Sequence, residues 1–179
     1  MIDQQIQNYC RLKGFHEQTL RRWLGLSESD GAALVRLAET LKVGENHFKD
    51  ILEWLEEVAL RDGASVSQIL SRDELTRIAT DPRLGRNDKL KRIKDELRRL
   101  RFPRIARIEE EINRRVRDMK LKPQFQLTVP AGLEGAAVTI EMKAGSYDEL
   151  KRLSAELARA VEEEGMKEIF ALLRGEMVA

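Results

Sequence analysis

Apolar residues recur at three- and four-residue steps through most of the first 120 positions, and that period commits the chain to amphipathic helices packed on one another. Leu20, Trp23 and Leu24 form one stripe, and Leu34, Leu37, Ala38 and Leu41 a second. Phe48, Ile51, Leu52, Leu55, Val58 and Ala59 form a longer third, which stops before Arg61-Asp62-Gly63. Only 5% of residues are aromatic while 42% are hydrophobic, so the core has to be built from Leu, Ile, Val and Ala, and the apolar share is too high for a disordered chain. Ser65 with Gln68, and Ser71 with Glu74, have the spacing at which a hydroxyl and a side chain three residues on satisfy each other's free backbone donors, so short helices are expected to begin there.

Asp81-Pro82 followed by Leu84-Gly85 is the clearest break, because the residue before proline is pushed out of helical geometry. It predicts a boundary between a helical unit at 1–80 and a second unit at 83–179. Beyond it Leu90, Ile93, Leu97 and Leu100 make a stripe, and after Phe102-Pro103 so do Ile105, Ile108, Ile112, Val116 and Met119. Pro103 suits the first turn of the later helix, where its missing N–H is not needed. The period then changes to two. Phe125, Leu127 and Val129 alternate with polar residues, as do Val138, Ile140 and Met142, and Pro130–Gly135 supplies a turn between them, which predicts a β-hairpin. Ser146 with Glu149 opens a helix carrying Leu150, Leu153, Leu157 and Val161, with Gly165 expected to end it before a last short helix around Ile169, Leu172 and Leu173.

The expected class is therefore mainly α (α+β): an N-terminal helical bundle and a C-terminal helix-β-hairpin-helix unit. A two-stranded hairpin is marginal alone in water. Its apolar face must be covered by neighbouring helices, extra strands or a second copy; the second copy is the favoured expectation, giving a homodimer through Leu127, Val129, Val138 and Ile140 with Leu150, Leu153 and Leu157 of the following helix.

Charge carries the functional expectation. The chain has a net charge of only +1, yet residues 83–122 hold 16 basic and 7 acidic side chains, a local +9. Lys89, Arg92, Arg98, Arg99 and Arg101, then Arg104, Arg107, Arg114 and Arg115, are the expected phosphate contacts for DNA, since clustered basic helices are the electrostatic mark of nucleic-acid binding. The opposing reading is a solvated face in which Glu109, Glu110 and Glu111 pair with basic neighbours one turn on. Convergence of Arg98, Arg101, Arg107 and Arg114 on one surface would favour DNA, and dispersal would favour a scaffolding module with an acidic protein partner. RNA would be served by the same surface. Residues 34–54 also carry a helix-turn-helix pattern, Leu37-Ala38 through Val43-Gly44 to Phe48 and Ile51. Its second helix is rich in acids (Glu45, Asp50, Glu53, Glu56, Glu57), which leaves Asn46, His47 and Lys49 of the first turn as the candidate base contacts.

The helix from Ile108 to Leu121, the segments FQLTVP and AAVTIEMKA, and the helix start Ser146-Tyr-Asp-Glu-Leu-Lys-Arg-Leu153 together resemble the C-terminal dimerisation module of ParB-type chromosome and plasmid partition proteins. That family also carries a helix-turn-helix upstream. The resemblance implies a DNA-binding homodimer. It does not extend to the family's nucleotide-binding region with its arginine-rich motif, so nucleotide-driven clamping is not carried over.

An enzymatic reading finds no support in the residue inventory. Cys10 is the only cysteine and His16 and His47 the only histidines, so no nucleophile has an evident base and no Cys/His cluster has metal-ligand spacing. No G-x-x-x-x-G-K-[ST] or G-x-G-x-x-G loop is present, so no cofactor is expected. The N-terminus lacks the apolar run of a signal peptide, and no stretch of about 18 apolar residues could span a bilayer. With one cysteine and no disulfide to form, the expected compartment is the cytoplasm.

Overall fold

The computed structural model describes residues 2–176, with side chains at 131, 134 and 136 left out. The fold is mainly helical, with ten α-helices and one two-stranded antiparallel sheet among the described residues. It divides into two compact units, Met1–Arg101 and Phe102–Ala179.

The first unit holds α1 (Ile2–Lys13), α2 (Glu17–Leu24), α3 (Glu28–Leu41), α4 (Glu45–Asp62), α5 (Val66–Leu70), α6 (Asp73–Thr80) and α7 (Arg86–Arg101). The stripes read from the sequence face inward: Trp23, Leu34, Ile51, Leu52 and Leu55 are fully buried. α4 packs on α2, α5 and α7, and α3 on α1, α5 and α7. Tyr9, Phe15, Trp23 and Phe48 form an aromatic cluster in which the Trp23 and Phe48 ring centres are 4.2 Å apart. The Tyr9 hydroxyl lies 2.8 Å from the Ala38 carbonyl and 2.9 Å from the Val43 carbonyl, so α1 is pinned to the turn between α3 and α4.

Two sequence expectations change here. Asp81-Pro82 does interrupt the helices, since α6 ends at Thr80 and Asp81 is extended. It is not, however, where the units part. Ile93 and Leu97 of α7 are buried in the same core as α3, α4 and α6, so the compact unit runs to residue 101 and the break at 81–85 is a bend within it. α6 also starts differently: its N-cap is Arg72, and the Ser71 hydroxyl donates to the Ser67 carbonyl, one turn back. Ser65 and Gln68 form the reciprocal capping box as expected.

The second unit runs α8 (Pro103–Asp118), β1 (Phe125–Thr128), β2 (Thr139–Met142), α9 (Tyr147–Glu162) and α10 (Glu164–Leu173). Pro103 is the first residue of α8. The strands pair with Phe125 opposite Met142 and Leu127 opposite Ile140, which puts the alternating apolar residues on one face. Their connection is longer than a simple turn: Ala131–Ala136 is a 3-10 segment in which Gly132, Leu133 and Gly135 have positive φ. Ile112, Ile169 and Leu172 make the core, with Leu127, Val129 and Val138 packed against it. The hairpin is thus covered by helices of its own unit. Gly165 does not end α9; Glu163 stands between α9 and α10, and Gly165 lies in the first turn of α10, where an added Cβ would come within 3.1 Å of Met119 Cγ. The close approach of α10 to Met119 explains the glycine better than a helix stop does.

Candidate nucleic-acid interface

The helix-turn-helix pattern forms two consecutive helices, α3 and α4, around Lys42-Val43-Gly44. Lys42 itself takes the left-handed conformation (φ 51°), and the Val43 N–H returns to the Ala38 carbonyl in the manner of a glycine-ended helix. Val43 is buried as the turn's anchor. Asn46, His47 and Lys49 are all exposed at the start of α4. Glu45, at the same end, turns inward and accepts from the His16 backbone N–H (2.9 Å) and the Thr19 hydroxyl (2.8 Å). Burial would raise its pKa, but these hydrogen bonds and the neighbouring His16 and Lys49 outweigh it and hold the carboxyl below its ordinary range.

The acids further along α4 have a definite partner. Asp50 lies 2.8 Å from the Lys94 ammonium, and Glu57 and Glu53 accept from Arg101 at 2.7 and 3.4 Å. Residues 50 and 57 on α4, and 94 and 101 on α7, are each seven apart, so two parallel helices bring an acidic stripe against a basic one. The Lys94 ammonium also lies 3.2 Å from His47 Nδ1 and 5.4 Å from the centre of the Trp54 ring. Lys89 donates to the Ala79 carbonyl, and Arg98 and Arg99 are engaged in contacts as well. What is left on α7 is mixed in sign. Arg86, Lys91 and Arg92 are exposed, but so are Asp88 and Asp95, and Arg92 lies close enough to Asp81 to help depress its pKa.

One local grouping on this unit was not read from the sequence. His47, Asn87, Lys91 and Lys94, with Leu90 and Asp95, line a groove of about 430 Å³. It joins the candidate base-contact residue His47 to two lysines of α7. Residues 47 and 91 are far apart in the linear order, and the clue that they meet was the matched seven-residue charge stripes of α4 and α7.

In the second unit Arg115 is structural: its guanidinium is bound by Glu111 at 2.7 Å and by Glu168, tying α8 to α10. Arg114 is paired with Glu111. Arg104 and Arg107 are exposed and have no acidic partner among the described residues. With Arg114, they line a groove of about 710 Å³ whose apolar part is Ile108 and Leu172, and which Glu111 and Glu176 also border. Of the four arginines whose convergence was in question, Arg107 and Arg114 share this groove, while Arg101 is held on α4 and Arg98 lies half-buried on α7.

The residues expected at a dimer contact separate into two groups. Leu127, Val129 and Val138 are half-buried against their own unit's core, and Leu153 is fully buried. Ile140 and Leu157 are half-buried, and Leu150 is 42% exposed. Leu150, Leu157 and Val161 continue as one stripe on the outer face of α9, with Tyr147 at its start.

Cys10 is buried, and its thiol is pushed up to about 11, first by burial and then by Glu45. Among the described residues no three His, Cys, Asp or Glu side chains are grouped to hold a metal ion, and no helix is long and apolar enough to cross a membrane. Comparison with protein-family models, with curated proteins and with solved structures returns no match for this chain.

Proposed function

We propose that the chain is a non-enzymatic, cytoplasmic DNA-binding protein that acts as a homodimer, with Arg104 and Arg107 as its principal phosphate contacts. The observation that carries this reading is the state of Arg104 and Arg107. Most other cations flagged in the sequence are matched to an acid or a carbonyl, whereas these two are exposed, one turn apart on α8 and without an acidic partner among the described residues. An unpaired arginine near phosphate gains the counterion-release free energy that a paired one has largely surrendered. The His47–Lys91–Lys94 groove is the second candidate contact, and Asn46 and Lys49, exposed in the same turn of α4, are the other candidate base contacts.

Self-association follows from α9. Its outer stripe, Tyr147, Leu150, Leu157 and Val161, recurs at heptad-like steps and includes three of the exposed large apolar side chains of this unit. In an antiparallel pair about a two-fold axis, Lys151 of one copy would face Glu162 of the other. The order helix, two strands, helix in residues 103–162 is in keeping with a ParB-like dimerisation module.

Fluorescence anisotropy with a labelled DNA duplex, at 50 and 200 mM salt, tests the reading. Each phosphate contact contributes about 0.9 to the slope of log K against log salt. The double variant Arg104→Ala/Arg107→Ala should therefore lower that slope by about 1.8 per protomer. Absence of binding, or a slope unchanged in the variant, would refute it. Two observations favour the second reading, a protein-interaction module with an acidic partner: of Arg98, Arg101, Arg107 and Arg114 only Arg107 and Arg114 share a groove, and the α4–α7 pairing consumes Lys94 and Arg101 inside the first unit. That reading expects indifference to DNA with retained affinity for an acidic protein.

A further inference from the structure

The first unit contains a concavity that DNA binding does not use. α3 forms one wall, the corner between α5 and α6 the other, and Ile93 of α7 the floor. Its volume is about 420 Å³, within the roughly 300–1,000 Å³ typical of small-molecule sites. Leu37, Leu41, Leu70, Leu75 and Ala79 make most of the surface apolar, and Ala33 on α3 leaves space that a longer side chain would fill.

The polar groups of this cavity are few and directional. The Ser71 and Thr80 hydroxyls are spent on the Ser67 and Thr76 carbonyls. Thr40 and Thr76 make no side-chain hydrogen bond among the described residues. Arg36, one turn before Thr40 on the same face of α3, is exposed and has neither an ion pair nor a hydrogen bond among the described residues. No carboxylate belongs to the lining, so the cavity carries a single unopposed positive charge beside an apolar floor. This combination distinguishes it from the groove at Arg104, where Glu111 and Glu176 stand beside the arginines.

We propose that this cavity is a binding site for a small amphipathic carboxylate, its apolar chain on Leu37, Leu75 and Ile93 and its acid group at Arg36 and Thr40. A guanidinium offers a carboxylate two parallel N–H donors, and the Thr40 hydroxyl supplies a further one. The lone positive charge suits a monoanion, and the apolar surface suits a chain of methylenes in place of a sugar or phosphate ester.

The test is a titration of the full chain with hexanoate, octanoate and decanoate, and with octan-1-ol as the uncharged control, followed by amide chemical shifts of Ala33, Thr40, Thr76 and Ala79. Saturable shifts confined to these positions are expected, with affinity rising by up to about fourfold per methylene. Octan-1-ol should bind at least about tenfold more weakly than octanoate, the effect of losing a charge-assisted hydrogen bond. Arg36→Gln should bring octanoate down to the level of the alcohol, and Arg36→Lys should restore part of the difference. Because Arg36 is exposed and has no ion pair or hydrogen bond among the described residues, neither substitution threatens the fold. Equal affinity for acid and alcohol, no loss in Arg36→Gln, or shifts scattered outside the cavity would each overturn the proposal, and the last would mark the apolar surface as nonspecific.

Discussion

Replacing Tyr9 by phenylalanine removes one oxygen and nothing else, so its effect can be worked from the contacts. The hydroxyl shares its hydrogen between the Ala38 and Val43 carbonyls, at 2.8 and 2.9 Å, and Tyr9 is 7% exposed. Ala38 keeps a donor in the variant, because the Val43 N–H already points at it from 3.0 Å. Val43 O loses its hydroxyl partner, and Val43 is 1% exposed, so little water can replace it. One lost hydrogen bond with one stranded buried acceptor costs about 1–3 kcal/mol. For a unit of this size that corresponds to a fall in Tm of about 4–8 °C per kcal/mol. Trp23 and Trp54 both lie in the first unit, so urea unfolding followed by tryptophan fluorescence reports on it alone. The pH dependence gives an independent check. Burial first, then Glu39 and Cys10, push the Tyr9 phenol from 10.0 up to about 12. A group whose folded pKa is raised contributes stability that is complete below the unfolded value and disappears as pH rises through the folded one. The gap between wild type and Tyr9→Phe should therefore be constant up to about pH 10 and shrink between 10 and 12. A variant as stable as wild type at pH 7, or a gap that does not change across that window, would refute the role assigned to the hydroxyl.

Other expectations are equally direct. The Cys10 thiol, pushed up to about 11 and buried, should react with a thiol reagent far more slowly in the native chain at pH 8 than in urea; equal rates would show that it is accessible. Asp62 is held down at about 2 by hydrogen bonds from Arg61 and Arg72, so its contribution to stability is present above about pH 3.8 and lost as pH falls towards 2. Asp62→Asn should flatten that acid limb of the stability curve, and an unchanged limb would argue against the pairing. Leu150→Glu combined with Val161→Glu places charge on the exposed stripe of α9 and should shift the chain to a monomer by sedimentation while leaving its circular dichroism unchanged. A dimer that survives both substitutions must form elsewhere.

What the sequence determined by itself was whatever depends on neighbours a few residues away. The periods of three to four and of two placed the helices and the hairpin, because a side chain's direction along a helix or strand is set by local backbone geometry alone. The Ser65–Gln68 box and Pro103 at the start of α8 were legible for the same reason. Expectations failed where two local signals competed. Ser71 could cap α6 or bond back into α5, and it does the latter; Gly165 could end α9 or admit Met119, and it does the latter. Tertiary structure alone decided which face meets which. Ile93 and Leu97 could have led a second unit, but they are buried in the core formed with α3, α4 and α6, and α7 joined the first. The same choice divided the charges: the linear run of 16 basic residues looked like one surface, yet docking α7 on the acidic stripe of α4 neutralised Lys94 and Arg101, while Arg104 and Arg107 on α8 have no acidic partner among the described residues. Charge density is written along the chain, but a field at the surface depends on which counter-charges the fold brings within hydrogen-bonding distance.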